Sequence, residues 1–515
     1  MNHLKQKEIF ILVLCLFIGF ALRYYTFDQK SLWTDETYTF NDSRYGLKEQ
    51  LAFYKENPTF LHPPLFFILT HAFFPFEKPE RDLRIIPLIF GSLSIPLFYL
   101  LGRQFSTRLA MSCALALAFM TYHIGLSQDG RSYSLLLFLG MAGLYCFMKH
   151  LKTSKNTYLI LAAFFFSLSL YTSYSSIPFI VFFQILWLYK LKEESKTPKL
   201  SSFFILNGAI LFFCLPWGLF LIFNYKGQPV MDPAHTEGMG SLFYIFRSVF
   251  HDWAPHLPLT ILAALLFIFF PFVFQNKRNA FVLLTAFILP ISGLYLYGEL
   301  FDLKHFITSR YFINLLPLFF IILFCSADAL ESKLEKYNQY GRLKLFLLIL
   351  MIASNLITLP LYYGSEKQDF KGLVNYTKNH LQEGDKIIVG STSFFSPMLH
   401  YFGAHPDTRH HLIERIKVSD EEIEYRKPFI YQNMNATVIY SKSNWFHYLS
   451  DGSRLWIVSD KTNAKRLKEK GPFVFKGYFD GSFLNFNRFP TDVSMYLFLW
   501  DPKSPNEKGI QLPLH

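Results

Sequence analysis

Apolar runs long enough to cross a bilayer, roughly 17–25 residues each, recur along the chain to about residue 361. They lie at 8–26, 83–101, 108–125, 132–149, 156–172, 175–190, 202–223, 257–275, 279–298, 310–327 and 343–361. The pattern predicts an α-helical polytopic membrane protein with about eleven membrane helices, or twelve to thirteen if further apolar stretches cross. One run is awkward. Pro63–Phe76 is apolar but only 14 residues long, and it opens on two prolines. It is expected to be an interfacial or re-entrant helix rather than a span.

The pattern changes after Gly364. Charged residues become frequent and apolar positions begin to alternate. Asp369–Leu381 reads as an amphipathic helix, and Gly384-Asp385 turns into a strand at Lys386–Val389. Further strands are expected at Thr437–Tyr440, Leu455–Val458, Phe473–Phe479 and Met495–Trp500, with a helix at Asn463–Lys470. Strands alternating with helices predict a small C-terminal α/β domain. The expected domains are therefore 1–363, within the membrane, and 364–515.

Composition supports this division. Charged residues make up 17% of the 515, against roughly 25% in ordinary soluble domains. Aromatic residues make up 19%, Phe alone contributing 60. So apolar a chain is not disordered, and 5 Cys do not make a disulfide scaffold. All five cysteines lie inside apolar runs with no C-x-x-C spacing, which argues against metal clusters and redox motifs.

The net charge of +12 is spread over short segments between spans, not gathered into a nucleic-acid-binding face. Lys/Arg-bearing segments at the N-terminus, 102–107, 149–155, 190–199, 275–278 and 328–344 alternate with segments such as 126–131 and 173–174 that carry few or no positive charges. The positive-inside rule puts the first group in the cytoplasm. It then places 27–82, 224–256 and the C-terminal region outside a cytoplasmic (inner) membrane. Counting Pro63–Phe76 as a span would turn Arg103 and the basic segments 149–155 and 190–199 outward. Arg23-Tyr24-Tyr25 follows the first apolar run where a signal peptide would have small residues, so that run is expected to stay as a helix.

The external segments carry the candidate chemistry. Trp33-Thr34-Asp35-Glu36 follows the first span. Two adjacent acids are usually a solvated loop. Just above a membrane, with Trp33 excluding water, a carboxylate can also serve as a general base. His62 precedes Pro63-Pro64, which suits a helix start and can also aim an imidazole at an anion. Ser127-Gln128-Asp129-Gly130-Arg131-Ser132-Tyr133 joins two spans. Arg131 there can bind a phosphate at a helix N-terminus or simply snorkel. Lys304, His305 and Arg310 lie within seven residues on the outer side, against the positive-inside trend. They are candidates for anion binding, with snorkelling again the alternative.

Together these segments resemble the GT-C superfamily of membrane glycosyltransferases, and within it glycosyltransferase family 39. That group includes the protein O-mannosyltransferases and the aminoarabinose transferases acting on lipid A. The resemblance rests on Trp33-x-Asp35-Glu36, His62-Pro63-Pro64-Leu65, Ser127-Gln128-x-x-Arg131-Ser132-Tyr133-Ser134-Leu135, and Ser309-Arg310-Tyr311-Phe312 with Leu316-Pro317. It continues in Asp369-Phe370-Lys371-Gly372 and Gly384-Asp385-Lys386. Relatives often have Gln-Glu-Ala-Arg where this chain has Gln128-Asp129-Gly130-Arg131, which keeps the acid but shortens it by one carbon.

The resemblance implies a polyprenyl-phosphate sugar donor and a hydroxyl acceptor, on protein or glycolipid, reached from outside the membrane. It makes Asp35 the catalytic aspartate, with Glu36 as its neighbour. Arg131 and Arg310, with His305 or Lys304, are then candidates to neutralise the donor phosphate, and His62, Asp129 and Tyr311 are further site candidates. One displacement with one base inverts the anomeric centre. No tight ligand set points to a divalent metal, which stays open. The rival class is a transporter or flippase of lipid-linked sugars. Such proteins place ionisable residues at mid-membrane and often show repeated halves. Here the notable charges gather in external loops and no repeat is visible.

Overall fold

The computed structural model describes residues 6–56, 62–188, 200–225, 241–300, 307–335, 342–403, 415–417, 423–425, 429–431, 436–440, 449, 452–470, 472–481 and 494–503. The chain divides into two compact units. One comprises Met1–Phe27, Tyr45–Phe74 and Arg84–Tyr362; the other comprises Asp28–Arg44, Pro75–Leu83 and Tyr363–His515.

The first unit is a helical bundle around one apolar core. Helices Ile85–Phe105 and Asn156–Thr172 flank Tyr133–Thr153, and Leu200–Asn224 packs on Asn156–Thr172. Phenylalanines fill this core by edge and face contacts. Phe166 and Phe183 have centroids 4.4 Å apart, and Phe250, Phe267, Phe287 and Phe319 cluster around Trp253. Such ring pairs add about 0.5–1.5 kcal/mol beyond their buried area. Apolar side chains also cover the periphery: Phe212 and Ile222 are more than 70% exposed. A helix apolar on all sides suits a lipid surround.

Every expected span falls on a helix, but the count of eleven is not shown. Among the described residues six helices are long and apolar enough to cross a membrane, or up to eight if two bent pairs each make one span. The run 108–125 is such a pair: Ala110–Phe119 and Thr121–Ser127 meet at 65°. Leu242–Trp253 and Leu257–Val273 meet at 114°. Asn156–Thr172 and Ser176–Leu188 are shorter apolar helices. The first helix, Gln6–Tyr24, carries Lys7, Glu8 and Arg23. Within Pro63–Phe76 only Leu65–His71 is helical. Seven residues rise about 10 Å, far less than a bilayer core.

The bend at Met120 has a visible cause. Met120 leaves the helical region (φ −69°, ψ 107°), which exposes the last carbonyls of Ala110–Phe119. The fully buried Arg23 donates to Leu117 O and Ala118 O at 2.8 and 3.0 Å, and bonds His123 Nδ1 at 2.8 Å. A cation on a helix C-terminus also complements its dipole.

The second unit holds a six-stranded mixed sheet. Its strands are β1 (Lys386–Val389), β4 (Phe429–Tyr431), β5 (Ala436–Tyr440), β6 (Leu455–Ser459), β7 (Val474–Phe479) and β8 (Met495–Trp500), in the order β4-β5-β1-β6-β8-β7. β2 (Arg415–Lys417) and β3 (Ile423–Tyr425) form a separate antiparallel pair. β1 lies parallel to β5 and β6, with Lys386 opposite Thr437 and Leu455. β6 is buried along its whole length, as expected for a strand covered on both faces. Trp456 and Val458 meet helices Phe370–His380 and Thr392–Phe402, while Leu455 and Ile457 meet Lys461–Lys470. Every strand and helix expected from the alternation is present within a residue or two. Thr392–Phe402 and the short strands β2, β3 and β4 were not anticipated.

The stretch 28–44 belongs to this second unit, as does 75–83. Its helix Thr34–Ser43 packs on Thr392–Phe402, and Leu32, Phe40 and Leu83 form a small core with Phe76 and Tyr401.

Candidate functional site

Asp35 and Glu36 stand in the first turn of Thr34–Ser43. Asp35 is half-buried and Glu36 is buried. Glu36 turns back and accepts a hydrogen bond from Trp33 N at 3.3 Å. That is the return arm of a capping box, so Glu36 organises the turn that carries Asp35. Trp33 is buried, with the Lys367 ammonium 3.6 Å from its ring centroid. Neighbouring amides are held by the C-terminal part of the same unit. Ser31 N donates to Glu366 Oε2, Leu32 N to the Tyr401 hydroxyl, and Thr34 N to Gln368 Oε1.

The tail motifs act structurally. Asp369 caps helix Phe370–His380 by accepting from Gly372 N at 2.7 Å. A Cβ on Gly372 would stand 2.1 Å from Asp369 Oδ2, so glycine is required there. Burial pushes the Asp369 carboxyl above its ordinary value, with the Gly372 amide opposing. Asp385 is buried and accepts from Trp456 Nε1 and Arg454 Nη1 at 2.8 and 3.0 Å.

In the bundle, Gln128 joins three helix ends. Its amide donates to Arg23 O and Tyr25 O, and its carbonyl accepts from the Tyr362 hydroxyl at 2.8 Å. Asp129 is buried, and its carbonyl accepts from Arg131 N. Arg131 is half-buried. Arg310, in the 3₁₀ turn Ser309–Leu315, has its guanidinium 5.7 Å from the Tyr133 ring and 5.4 Å from the Tyr311 ring. The motifs around Arg131 and Arg310 therefore meet through Tyr133. Gly140 permits the approach: a Cβ there would lie 2.4 Å from Asn314 Oδ1. His62 is exposed, its ring edge-on to Phe67 at 6.2 Å. Lys304 and His305 lie outside the described residues.

The sequence reading passed over a buried polar chain beside Arg310. The Tyr122 hydroxyl bonds Ser309 Oγ at 2.7 Å, and Ser309 donates to Asp252 Oδ2, which the Ser248 hydroxyl also approaches at 3.4 Å. Asp252 is buried, and its Oδ1 has no hydrogen-bond partner among the described residues. The available signal was an acid at the edge of an apolar run, masked because 224–256 read as a loop. Among the described residues no three His, Cys, Asp or Glu side chains are gathered as a metal ion would require.

The whole fold has solved counterparts. ArnT from Cupriavidus metallidurans in the apo state superposes with a TM-score of 0.54 over 98% of this chain and 100% of that one, at 11% identity. The same protein bound to undecaprenyl phosphate gives 0.51 over 97% and 99%, also at 11% identity. The chain has a GT-C fold. The sequence profile of the dolichyl-phosphate-mannose-protein mannosyltransferase family matches residues 61–220. That stretch holds the His62 and Arg131 motifs and stops short of Arg310. No curated protein matches the chain.

Proposed function

We propose that this protein is an inverting glycosyltransferase of the outer face of the cytoplasmic membrane. It moves a sugar from a polyprenyl-phosphate donor to a hydroxyl of a protein, lipid A or another envelope glycan. The observation that carries this reading is the GT-C fold, shared over nearly the whole chain with a protein solved bound to undecaprenyl phosphate. The matched mannosyltransferase profile supports it independently.

The chemistry needs little beyond what the motifs supply. Asp35 takes the proton from the acceptor hydroxyl as its oxygen bonds to the anomeric carbon. The bond from that carbon to the phosphate oxygen breaks, and its electron pair leaves with the polyprenyl phosphate. Arg131 and Arg310 neutralise the departing phosphate, with Lys304 and His305 as further cations. His62, Asp129 and Tyr311 are assigned to the surroundings of this site. Attack on one face and departure from the other inverts the centre.

The test uses the full-length protein in lipid nanodiscs with a panel of undecaprenyl-phosphate-linked mannose, glucose and aminoarabinose, and with lipid A and an envelope protein fraction to supply the acceptor hydroxyl. Release of undecaprenyl phosphate from one of them is expected. Asp35→Asn should slow it by about 10²–10⁴-fold, the usual worth of a general base, while binding of undecaprenyl phosphate persists. Near-normal release by Asp35→Asn sinks the base assignment. Absence of both release and binding in the unmutated protein sinks the transferase reading.

A further inference from the structure

The helix that carries Asp35 has a return arm from Glu36 but no side-chain acceptor at its N-cap, Trp33. The opening amides of a helix have no partner within it, so they must find acceptors elsewhere. Glu36 serves the Trp33 amide. The next amide, Thr34 N, donates at 2.9 Å to the side-chain carbonyl of Gln368, 334 positions along the chain. The Thr34 hydroxyl lies within bonding distance of the same oxygen, at 2.9 Å, and of Ser393 O, at 2.8 Å. Gln368 is buried and sits just before the capped helix Phe370–His380. Its place is therefore fixed by the fold of the C-terminal stretch. The same stretch holds the strand of chain leading into the helix, through Glu366 on Ser31 N and Tyr401 on Leu32 N at 3.1 and 2.6 Å.

We infer that Gln368 is a positioning residue for Asp35. Its carbonyl caps the first helical amide, Thr34 N, and so fixes the turn where the acid stands. The C-terminal stretch thereby acquires a task in the reaction: it holds the base in place. This inference rests on Asp35 being the base proposed above. A reacting group displaced by about 1 Å can lose on the order of 10²-fold in rate, so loss of one cap should appear in turnover rather than in donor affinity.

The experiment uses the full-length protein in nanodiscs with whichever undecaprenyl-phosphate sugar of the panel it consumes. Gln368→Leu removes the acceptor, Gln368→Asn withdraws it by one carbon, and Gln368→Glu keeps an oxygen in reach. Leu and Asn should lower kcat about ten- to a hundredfold with KM for the donor nearly unchanged. Both should speed amide exchange across residues 33–37. Glu should restore most of kcat and of the protection. If Leu does not fold, Asn and Glu decide alone.

A folded Leu or Asn variant with normal kcat overturns the inference. So does lost kcat with unchanged exchange at 33–37, or a Glu variant as poor as Leu. Asp35→Asn measured alongside separates the two ideas. Normal turnover there defeats the base reading, whereas a dead Asp35→Asn beside a normal Gln368→Leu defeats only the positioning role.

Discussion

At the scale of single residues, the motif side chains divide by what they hold. Glu36, Gln128, Asp369, Gly372 and Asp385 are bound to backbone or to helix ends. They shape the turns on which other groups stand. Arg310 differs, because its guanidinium lies against two aromatic rings. A planar cation held beside two rings presents its N–H groups in a restricted range of directions, which suits a phosphate. Lysine cannot stack or offer two parallel donors. Arg310→Lys should therefore weaken undecaprenyl phosphate binding by roughly tenfold or more, about 1.4 kcal/mol, and lower carrier release with it. Tyr133→Phe keeps the ring and should bind nearly as the unmutated protein does. Titration of undecaprenyl phosphate into nanodiscs measures both. Equal affinities for Arg310→Lys and the unmutated protein would remove Arg310 from the phosphate site.

At the scale of elements, the cap of helix Phe370–His380 makes a pH-dependent prediction. Burial holds the Asp369 carboxyl above its ordinary value, so the folded state binds this proton more tightly than the unfolded chain. The corresponding stability is fully present below the unfolded pKa of about 3.9. It is lost as pH rises through the higher folded value. Asp369→Asn keeps an acceptor for Gly372 N without the charge. Relative to the unmutated protein it should therefore gain stability between pH 4 and pH 7, followed by amide exchange of residues 370–380. A constant difference across that range would refute the buried-charge account. The same elements show how much the sequence could tell. Alternation read β1, β5, β6, β7 and β8 almost to the residue, because those strands carry Val, Ile and aromatic runs bounded by polar or turn residues such as Gly, Asp, Asn and Ser. Helix Thr392–Phe402 escaped because Ser391, Thr392 and Ser393 open it like a loop and Pro397 interrupts it. The bent spans escaped because hydropathy records length and not direction. For the site, the adjacent acids and the arginines were legible as motifs. The Asp252–Ser309–Tyr122 chain and Gln368 were not, since their partners lie 57, 187 and 334 positions away.

At the scale of the whole molecule, the chain's path limits its membrane topology. Asp28–Arg44, Pro75–Leu83 and Tyr363–His515 form one unit, so all three are expected on one side of the membrane. If the six long helices and both bent pairs among the described residues each cross, Asn156–Thr172 and Ser176–Leu188 are expected to cross together or not at all. Which side the unit occupies is a matter of charge. Lys149, Lys152 and Lys155 lie at the C-terminal end of Tyr133–Thr153, and Lys7 opens the first helix; by the positive-inside rule both segments are expected in the cytoplasm. Single cysteines can test both statements, because the native ones are buried or half-buried. Tyr38 and Lys465 are exposed in the second unit, and Lys155 is exposed in the bundle. In right-side-out vesicles a membrane-impermeant maleimide should label Tyr38→Cys and Lys465→Cys at once. Lys155→Cys should react only after permeabilisation. Tyr38→Cys and Lys465→Cys on opposite sides would break the second unit apart, and with it the cap that Gln368 supplies. Both protected, with Lys155→Cys open, would keep that unit intact and reverse its orientation, placing Asp35 at the cytoplasmic face and excluding an acceptor from outside.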